Sequence, residues 1–445
     1  MSEAIHQDVY QWLEQRNPNQ NEFNQAVTAL FDDLIPLVAE NREYQRQQVL
    51  KRLTEPDRII SFRVVWEDDN GELHVNRGYR VQHCGLLGPY KGGIRFHPLV
   101  NESVLKFLAF EQTFKNALTN LPLGGGKGGA DFDPKGRSDR EIMRFCQAYM
   151  NELYRHIGEN TDVPAGDINV GSREIGFLFG QYRRLANKFS GTFTGKNIEF
   201  GGSHVRMEAT GFGLIYFVEN MLKKSGESLA DKDVAISGAG NVALHAALKA
   251  AEKKARVITL SNSHGSLYCI GGIEHSIIEK LLDSSARPDL EQLAHDIGGH
   301  WREGEKPWNV ACDIALPCGT QNELDEDDAK QLVNQGCQIL AEGANMPCTI
   351  KAIDILNNAK IANAPGKASN AGGVALSGLE MSQNASFTSL SYEELDEKLN
   401  GIMHSIHQQC VDHGNTIDGW VNYRKGANIA AFNRLAASML SQGIA

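Results

Sequence analysis

The stretch Asp233-Val234-Ala235-Ile236-Ser237-Gly238-Ala239-Gly240-Asn241-Val242-Ala243 decides the fold of this chain. A short apolar run ends on Gly238, as a strand buried on both faces does. Beyond it Ala246, Ala247 and Ala250 mark a helix. Gly-x-Gly-x-x-Ala between a strand and a helix is a dinucleotide-binding fingerprint. Gly238 makes the turn, Gly240 lets a pyrophosphate approach the backbone, and the small Ala243 lets helix and strand pack. Gly238, Gly240 and the helix-opening Val242 are therefore candidate cofactor contacts.

Working downstream, Arg256 to Leu260 is the next strand, and its tip reads Ser261-Asn262-Ser263-His264-Gly265. An NAD site usually places an acid here for the ribose hydroxyls. Ser261, Asn262 and Ser263 instead offer hydrogen bonds to a 2′-phosphate, which points to NADP and leaves NAD as the alternative. Further strand candidates at 310–316, 338–342 and 360–364 complete an α/β, doubly wound, Rossmann-like pattern.

Working upstream, Pro122-Leu-Gly-Gly-Gly-Lys127-Gly-Gly129 sets five glycines around one lysine. Glycine weakens regular elements and permits close approach, so the run reads as a tight backbone presenting Lys127 in a crowded site rather than as core. A Walker loop needs Ser or Thr after its lysine, and Gly128 stands there. A plain linker would favour Ser and solvated residues, whereas Leu121, Pro122, Leu123 and Ala130 flank this run. Lys91 also lies beside glycines, in Tyr90-Lys91-Gly92-Gly93-Ile94-Arg95-Phe96. Asn101-Glu102 opens a helix on which Gln112 and Lys115 share a face. That spacing alone leaves Lys115 open between a site and a solvated edge. Asp167 follows Pro164-Ala165-Gly166, and is either a turn-former or a carboxylate kept from water.

The remaining segments read as follows. Residues 8–52 are helical. Arg58–Glu67 alternates with Ile60, Phe62, Val64 and Trp66 on one face, and Asp69-Asn70-Gly71 turns it back into a second strand. Ser138 with Glu141 is a capping box opening a helix through Ile142, Phe145, Cys146 and Tyr149. A helix begins near Ser203 and runs through Thr210 and Phe217. The glycine pairs at 201–202 and 372–373 are candidate hinges. Ser391 and Glu394 cap a last long helix.

With 445 residues the chain exceeds one ordinary core. A net charge of −11 argues against nucleic acid and anionic membrane as partners. The first ten residues carry no apolar run, and no stretch reaches membrane-spanning length. Eight scattered cysteines without Cys-x-x-Cys read as small apolar residues of a cytoplasmic protein, and no His/Cys ligand spacing supports a metal.

Together, Lys91-Gly-Gly-Ile-Arg-Phe-His-Pro98, Glu111-Gln-Thr-Phe-Lys115, Leu123-Gly-Gly-Gly-Lys-Gly-Gly129, Pro164-Ala-Gly-Asp167, Ser237-Gly-Ala-Gly-Asn-Val-Ala243, Asp313-Ile-Ala-Leu-Pro-Cys318 and Asn370-Ala-Gly-Gly-Val374 with Ser377-Gly-Leu-Glu-Met381 resemble a bacterial-type glutamate dehydrogenase over nearly the full chain. The resemblance implies a mixed-sheet substrate and oligomerisation domain over 1–200, joined by a C-terminal helix at about 425–445, and a dinucleotide domain over 201–424. It implies that Lys127 and Asp167 are catalytic. Lys91 and Ser377 would hold the distal carboxylate of glutamate, Gln112 and Lys115 its α-carboxylate, and Gly166 would contact it through the backbone. Thr210 and Asn241 would contact the coenzyme, and the assembly would be a homohexamer. Met207 and Gly319 depart from the usual proline and alanine. The alternatives are an aliphatic or aromatic amino-acid dehydrogenase, an NAD-preferring glutamate dehydrogenase, or a catalytically dead regulator on the same scaffold.

Overall fold

The computed structural model describes residues 2–284 and 288–444. The chain divides into two compact units. The first takes residues up to His204, Leu376–Tyr392 and the chain from Asn428 onward; the second takes Val205–Ala375 and Glu393–Ala427. Residues 376–392 were expected in the dinucleotide domain and instead pack with the N-terminal unit. The reason is local: Glu380 forms a fully buried pair with Lys196 at 2.9 Å, and Gly378 abuts the Leu121 side chain.

The first unit is built on five strands: β1 (Arg58–Glu67), β2 (Leu73–Cys84), β3 (Tyr90–Phe96), β4 (Gly125–Ala130) and β5 (Asp162–Gly166), in the spatial order β1-β2-β4-β3-β5. The β1–β2 hairpin closes at Asp69-Asn70-Gly71, where Gly71 takes φ +83°. On β1, Val64 and Trp66 are buried and Ile60 and Phe62 half-buried, as the alternation predicts. One sheet face joins Ile94, Phe96 and Ala130 to the helices Asp139–Leu153 and Ser172–Ala186 through Phe145, Tyr149, Ile175 and Leu178. The Ser138/Glu141 capping box opens the first of these helices. The other face places Tyr79 and Val81 against Leu105 and Ala109 of the helix Glu102–Leu118, whose N-cap is Asn101. Residues 8–52 form four helices (Ser2–Arg16, Asn21–Glu40, Arg42–Arg46, Val49–Thr54) rather than one region, because Asn41 caps the third with its own side chain.

The glycine-rich run corrects one expectation. Gly125–Ala130, expected as a tight backbone rather than core, is a fully buried strand inside the sheet. Non-local contacts override the low strand propensity of glycine. A Cβ on Gly125 would lie 2.0 Å from Thr113 Oγ1, and one on Gly129 would lie 2.5 Å from the Arg95 carbonyl. On the opposite face, Gly126 and Gly128 leave room for the Arg80 guanidinium, 3.5 and 3.3 Å from their absent side chains. Arg80 is wholly buried. It donates to both Asp162 oxygens, at 2.8 Å from Nε, and to the Gly92 carbonyl at 3.1 Å, tying β2 to β3 and β5.

Arg80→Met strands the Asp162 carboxylate in the core, and about 3–5 kcal/mol of stability is expected to go with it. Denaturant unfolding reads this as a lower midpoint. Breaking the solvated Arg155–Glu152 pair, with side chains 51% and 44% exposed, is expected to move that midpoint far less.

The second unit holds a seven-stranded sheet: β6 (Asp233–Ile236), β7 (Arg256–Asn262), β8 (Gly265–Tyr268), β9 (His300–Glu303), β10 (Ile314–Leu316), β11 (Ile339–Ala341) and β12 (Ala362–Ala364), in the order β12-β11-β10-β6-β7-β8-β9. Five strands are parallel, as the doubly wound pattern requires. β8 and β9 add an antiparallel edge absent from the sequence reading. The helix expected from Ser203 begins at Ala209 and runs to Lys224, because residues 204–208 form turns with Val205 at φ +62°.

Six of the eight cysteines are buried and all eight are free thiols. Among the described residues, no helix is long and apolar enough to cross a membrane.

Candidate functional site

In the first unit, strand register assembles the charged residues. Lys127 on β4 stands opposite Val81, and Arg95 on β3 stands opposite Gly129, so Lys127 and Arg95 occupy one face, the face that receives the helix Glu102–Leu118. Ile94 pairs with Gly166, which brings Asp167 beside Arg95 at the end of β5. Glycine at 93 is required here, since its Cβ would lie 2.7 Å from the Asp167 Cβ.

The result is a buried triad of charges. Lys127 Nζ lies 3.2 Å from Asp167 Oδ1, and Arg95 Nε donates to Asp167 Oδ2 at 2.6 Å. The side chains are 7% (Lys127), 16% (Asp167) and 18% (Arg95) exposed. Burial pushes the Lys127 ammonium below the ordinary lysine value. Asp167 opposes that shift, and the Arg95 charge adds to it. Burial raises the Asp167 carboxyl, but Lys127 and Arg95 together outweigh it and hold the group below the ordinary carboxylate value. This setting makes Lys127 readier to lose its proton than an exposed lysine and holds Asp167 in the ionised form.

Lys91, two turns of the pleat before Arg95 on β3, is 1% exposed. The helix Glu102–Leu118 packs across β4 and carries Gln112 and Lys115, both half-buried. Its Asn116, wholly buried, donates to the Lys91 carbonyl at 3.1 Å and the Gly124 carbonyl at 2.5 Å, and accepts from Gln112 Nε2 at 2.7 Å. Ser377 is 2% exposed on the helix Gly372–Ser386, one turn before Glu380. The Glu380 carboxylate takes Lys196 Nζ and the Gly195 N–H, and the Thr194 N–H donates to the Pro164 carbonyl on β5. The turn that bears Ser377 is thus anchored to the strand that ends at Asp167.

Arg95, Arg80 and Asn116 did not stand out in the sequence. Arg95 was legible only as a charge in a motif already assigned to Lys91. The other two act from inside the sheet and have no local signature.

In the second unit, Gly238 takes φ +84° directly after β6, and Gly240 caps the helix Asn241–Glu252 with no side-chain hydrogen bond and open space where a Cβ would stand. The first N–H groups of that helix therefore face an uncrowded backbone, which suits a pyrophosphate. Ser261 is tied to the turn: the Gly238 N–H donates to its Oγ at 2.9 Å. Asn262 Oδ1 accepts from the His264 and Gly265 N–H groups, so its amide nitrogen is the donating end; Asn262 and Ser263 are exposed. Asn241 Nδ2 donates to the Met207 carbonyl at 2.7 Å, and Val242, next on that helix, is half-buried. Thr210 Oγ1 lies 2.6 Å from where a Cβ on Gly373 would be, and a Cβ on Gly372 would come within 2.0 Å of the Ala209 carbonyl. The glycine pair 372–373 therefore serves a close helix–helix approach. The departure at Gly319 also has a local cause. Glu323 Oε1 accepts from Ser237 Oγ at 2.8 Å and the Gly319 N–H at 3.0 Å, and its Oε2 lies 2.7 Å from where an alanine methyl would stand.

Residues 201–443 match the family described as Glutamate/Leucine/Phenylalanine/Valine dehydrogenase, and residues 56–184 match the Glu/Leu/Phe/Val dehydrogenase dimerisation domain. The chain belongs to this dehydrogenase family. Within it, the chain is 54% identical to the NAD-specific glutamate dehydrogenase of Bacteroides fragilis, covering 97% of this chain and 98% of that protein. It is 52% identical to the NADP-specific glutamate dehydrogenase of Escherichia coli, with 97% of each covered. Among solved structures, the glutamate dehydrogenase of Plasmodium falciparum superposes with a TM-score of 0.96 at 48% identity, covering all of this chain and 96% of that one. The two-domain α/β architecture of the family is the one described above, a mixed sheet and a Rossmann-like sheet. Overall identity does not separate the two coenzymes, since the NAD- and NADP-specific relatives differ by 2 percentage points (54 against 52).

Proposed function

We propose that this protein catalyses the reversible oxidative deamination of L-glutamate, with NADP(H) as hydride carrier: glutamate, NADP⁺ and water give 2-oxoglutarate, ammonium, NADPH and a proton. One observation carries the reading, the buried 3.2 Å contact of Lys127 with Asp167 on the sheet that also holds the buried Lys91. The glutamate dehydrogenases named above support the substrate. Lys91 and Ser377 take the distal carboxylate, Gln112 and Lys115 the α-carboxylate, and Gly166 offers its backbone. When bound, the coenzyme supplies the hydride acceptor. Asp167 accepts a proton from the substrate amine, so that the nitrogen lone pair assists loss of hydride from Cα. Lys127, whose burial favours loss of its proton, takes a proton from the water that attacks the resulting iminium carbon. The cations at 91 and 115 stay charged because each meets a carboxylate.

Gly238, Gly240, Asn241, Val242 and Thr210 are the residues that hold the coenzyme. Asn262 and Ser263, with Ser261, face the adenosine ribose. The lack of an acid at this tip favours NADP. A second reading, NAD, is supported by the NAD-specific relative of Bacteroides fragilis, 54% identical to this chain. The working form is a cytoplasmic homohexamer. Support comes from the family's dimerisation domain and from the exposed apolar side chains Ile59, Val65, Leu73 and Val75 on β1 and β2. A hetero-hexameric glutamate dehydrogenase from Thermus thermophilus, 25% identical with a TM-score of 0.81 over 94% of this chain, adds to it.

The test follows absorbance of the reduced nicotinamide. Oxidation of NADPH that requires both ammonium and 2-oxoglutarate is expected, with 2-oxoisocaproate slower by about 10²-fold or more. Equal rates with the two oxoacids would remove the glutamate reading, and faster turnover with NADH would reverse the coenzyme assignment.

A further inference from the structure

Asp167 has two oxygens and, among the described residues, two cationic partners. Lys127 takes Oδ1 at 3.2 Å, and Arg95 takes Oδ2 at 2.6 Å, the shorter and better-formed bond. Arg95 is held in turn by its strand: its carbonyl sits against Gly129, where a Cβ would come within 2.5 Å. An arginine stays charged at any working pH, whereas burial lowers the Lys127 ammonium below the ordinary lysine value. Its position is therefore that of a fixed charge behind a pair that must change protonation.

We propose that Arg95 is the positioning residue of this catalytic pair: it pins Oδ2 so that Oδ1 alone faces Lys127 and the substrate amine, and its permanent charge opposes protonation of either partner. This role rests on the deamination mechanism above, in which both groups must begin unprotonated. Other charged groups on the elements that carry or cover the pair include Arg80 on β2, Lys91 on β3, Asp162 on β5, and Glu111 and Lys115 on the helix Glu102–Leu118, with the Lys196–Glu380 pair in the same unit. Arg80 is neutralised by Asp162, and Lys196 by Glu380. Of all these, Arg95 is the one that bonds to Asp167 directly, besides Lys127.

The sign of the effect follows from charge. Without Arg95, the Asp167 carboxylate loses a neighbouring cation and binds protons more readily. Lys127 loses a neighbouring like charge and also binds protons more readily. Both changes remove activity from the acid side, so the acid limb of kcat for glutamate deamination should move to higher pH.

The experiment compares kcat–pH profiles of the wild-type enzyme, Arg95→Gln and Arg95→Lys, alongside KM for glutamate. For Arg95→Gln the acid limb should shift upward by about one pH unit or more. Arg95→Lys restores the charge but not the flat Nε contact; its limb should return toward wild type while kcat stays reduced. Arg95→Met keeps the stem and removes the charge, and serves in place of the glutamine variant should that one fail to fold. A neutral variant that loses kcat equally at every pH, with the limb unmoved, would overturn the proposal and leave Arg95 a structural residue. A wild-type enzyme without ammonium-dependent turnover of 2-oxoglutarate would overturn the mechanism itself, so the two failures are distinguishable.

Discussion

Lys127→Met should lower kcat for glutamate deamination by about 10²- to 10⁴-fold, the range spanned by a lost general acid–base. Methionine nearly matches the stem of lysine and fits the same buried slot on β4, where Lys127 is 5% exposed. The substitution therefore removes the titrating nitrogen with little change of shape. Asp167 keeps its bond to Arg95 and stays ionised, so proton removal from the substrate amine survives. What is lost is activation of water. Binding of NADPH, read by its fluorescence, should be unchanged, because the coenzyme turn at Gly238 belongs to the other unit. The rate is measured across pH, and the variant should lose the limb that titration of Lys127 imposes. A drop in kcat of less than about tenfold would mean that Lys127 is not the base.

The second large effect concerns specificity. Lys91→Leu should reduce kcat/KM for glutamate by about 10²- to 10³-fold, the scale of a desolvated carboxylate left without its partner. Lys91 lies on β3 almost without solvent, so no water shell can replace the lost ammonium. An amino acid with an aliphatic side chain loses nothing in the same variant and meets an apolar wall. Its rate relative to glutamate should therefore rise. Steady-state kinetics with glutamate and with leucine measure both terms. Retention of wild-type kcat/KM for glutamate would take Lys91 out of the substrate site.

Legibility in the sequence followed the range of the forces involved. The hairpin at Asp69-Asn70-Gly71, the Ser138/Glu141 box and the Asn101 cap are set by neighbours two to four residues away, and each stands where its local pattern puts it. The Gly238 turn was equally plain, because a strand, two glycines and a helix must coincide there. Gly125–Ala130 was misread for the opposite reason. Its glycines answer to Thr113, Arg80 and Arg95, and none of these is its neighbour in sequence. β8 and β9 are four residues each, too short for alternation to register, and they are specified by pairing with β7 and with each other. Lys127, Lys91, Gln112, Lys115 and Asp167 stood out from their local patterns and took their roles from the family resemblance, whereas their electrostatic support was not legible. Arg95 and Arg80 matter because of what lies across the sheet from them, and one-dimensional patterns do not carry that information.

The density of the glycine strand has a practical corollary for anyone wishing to redirect this enzyme. A methyl group at position 92 would come within 1.7 Å of the Gly126 carbonyl, and methyls at 93, 125 and 129 would meet other atoms at 2.6, 2.0 and 2.5 Å. Saturation libraries at these sites should therefore return mostly inactive clones, however close they lie to the reacting centre. Variation is better placed at Lys91 and Ser377, the pair proposed for the distal carboxylate, which leaves the glycine backbone and the α-carboxylate grip of Gln112 and Lys115 in place.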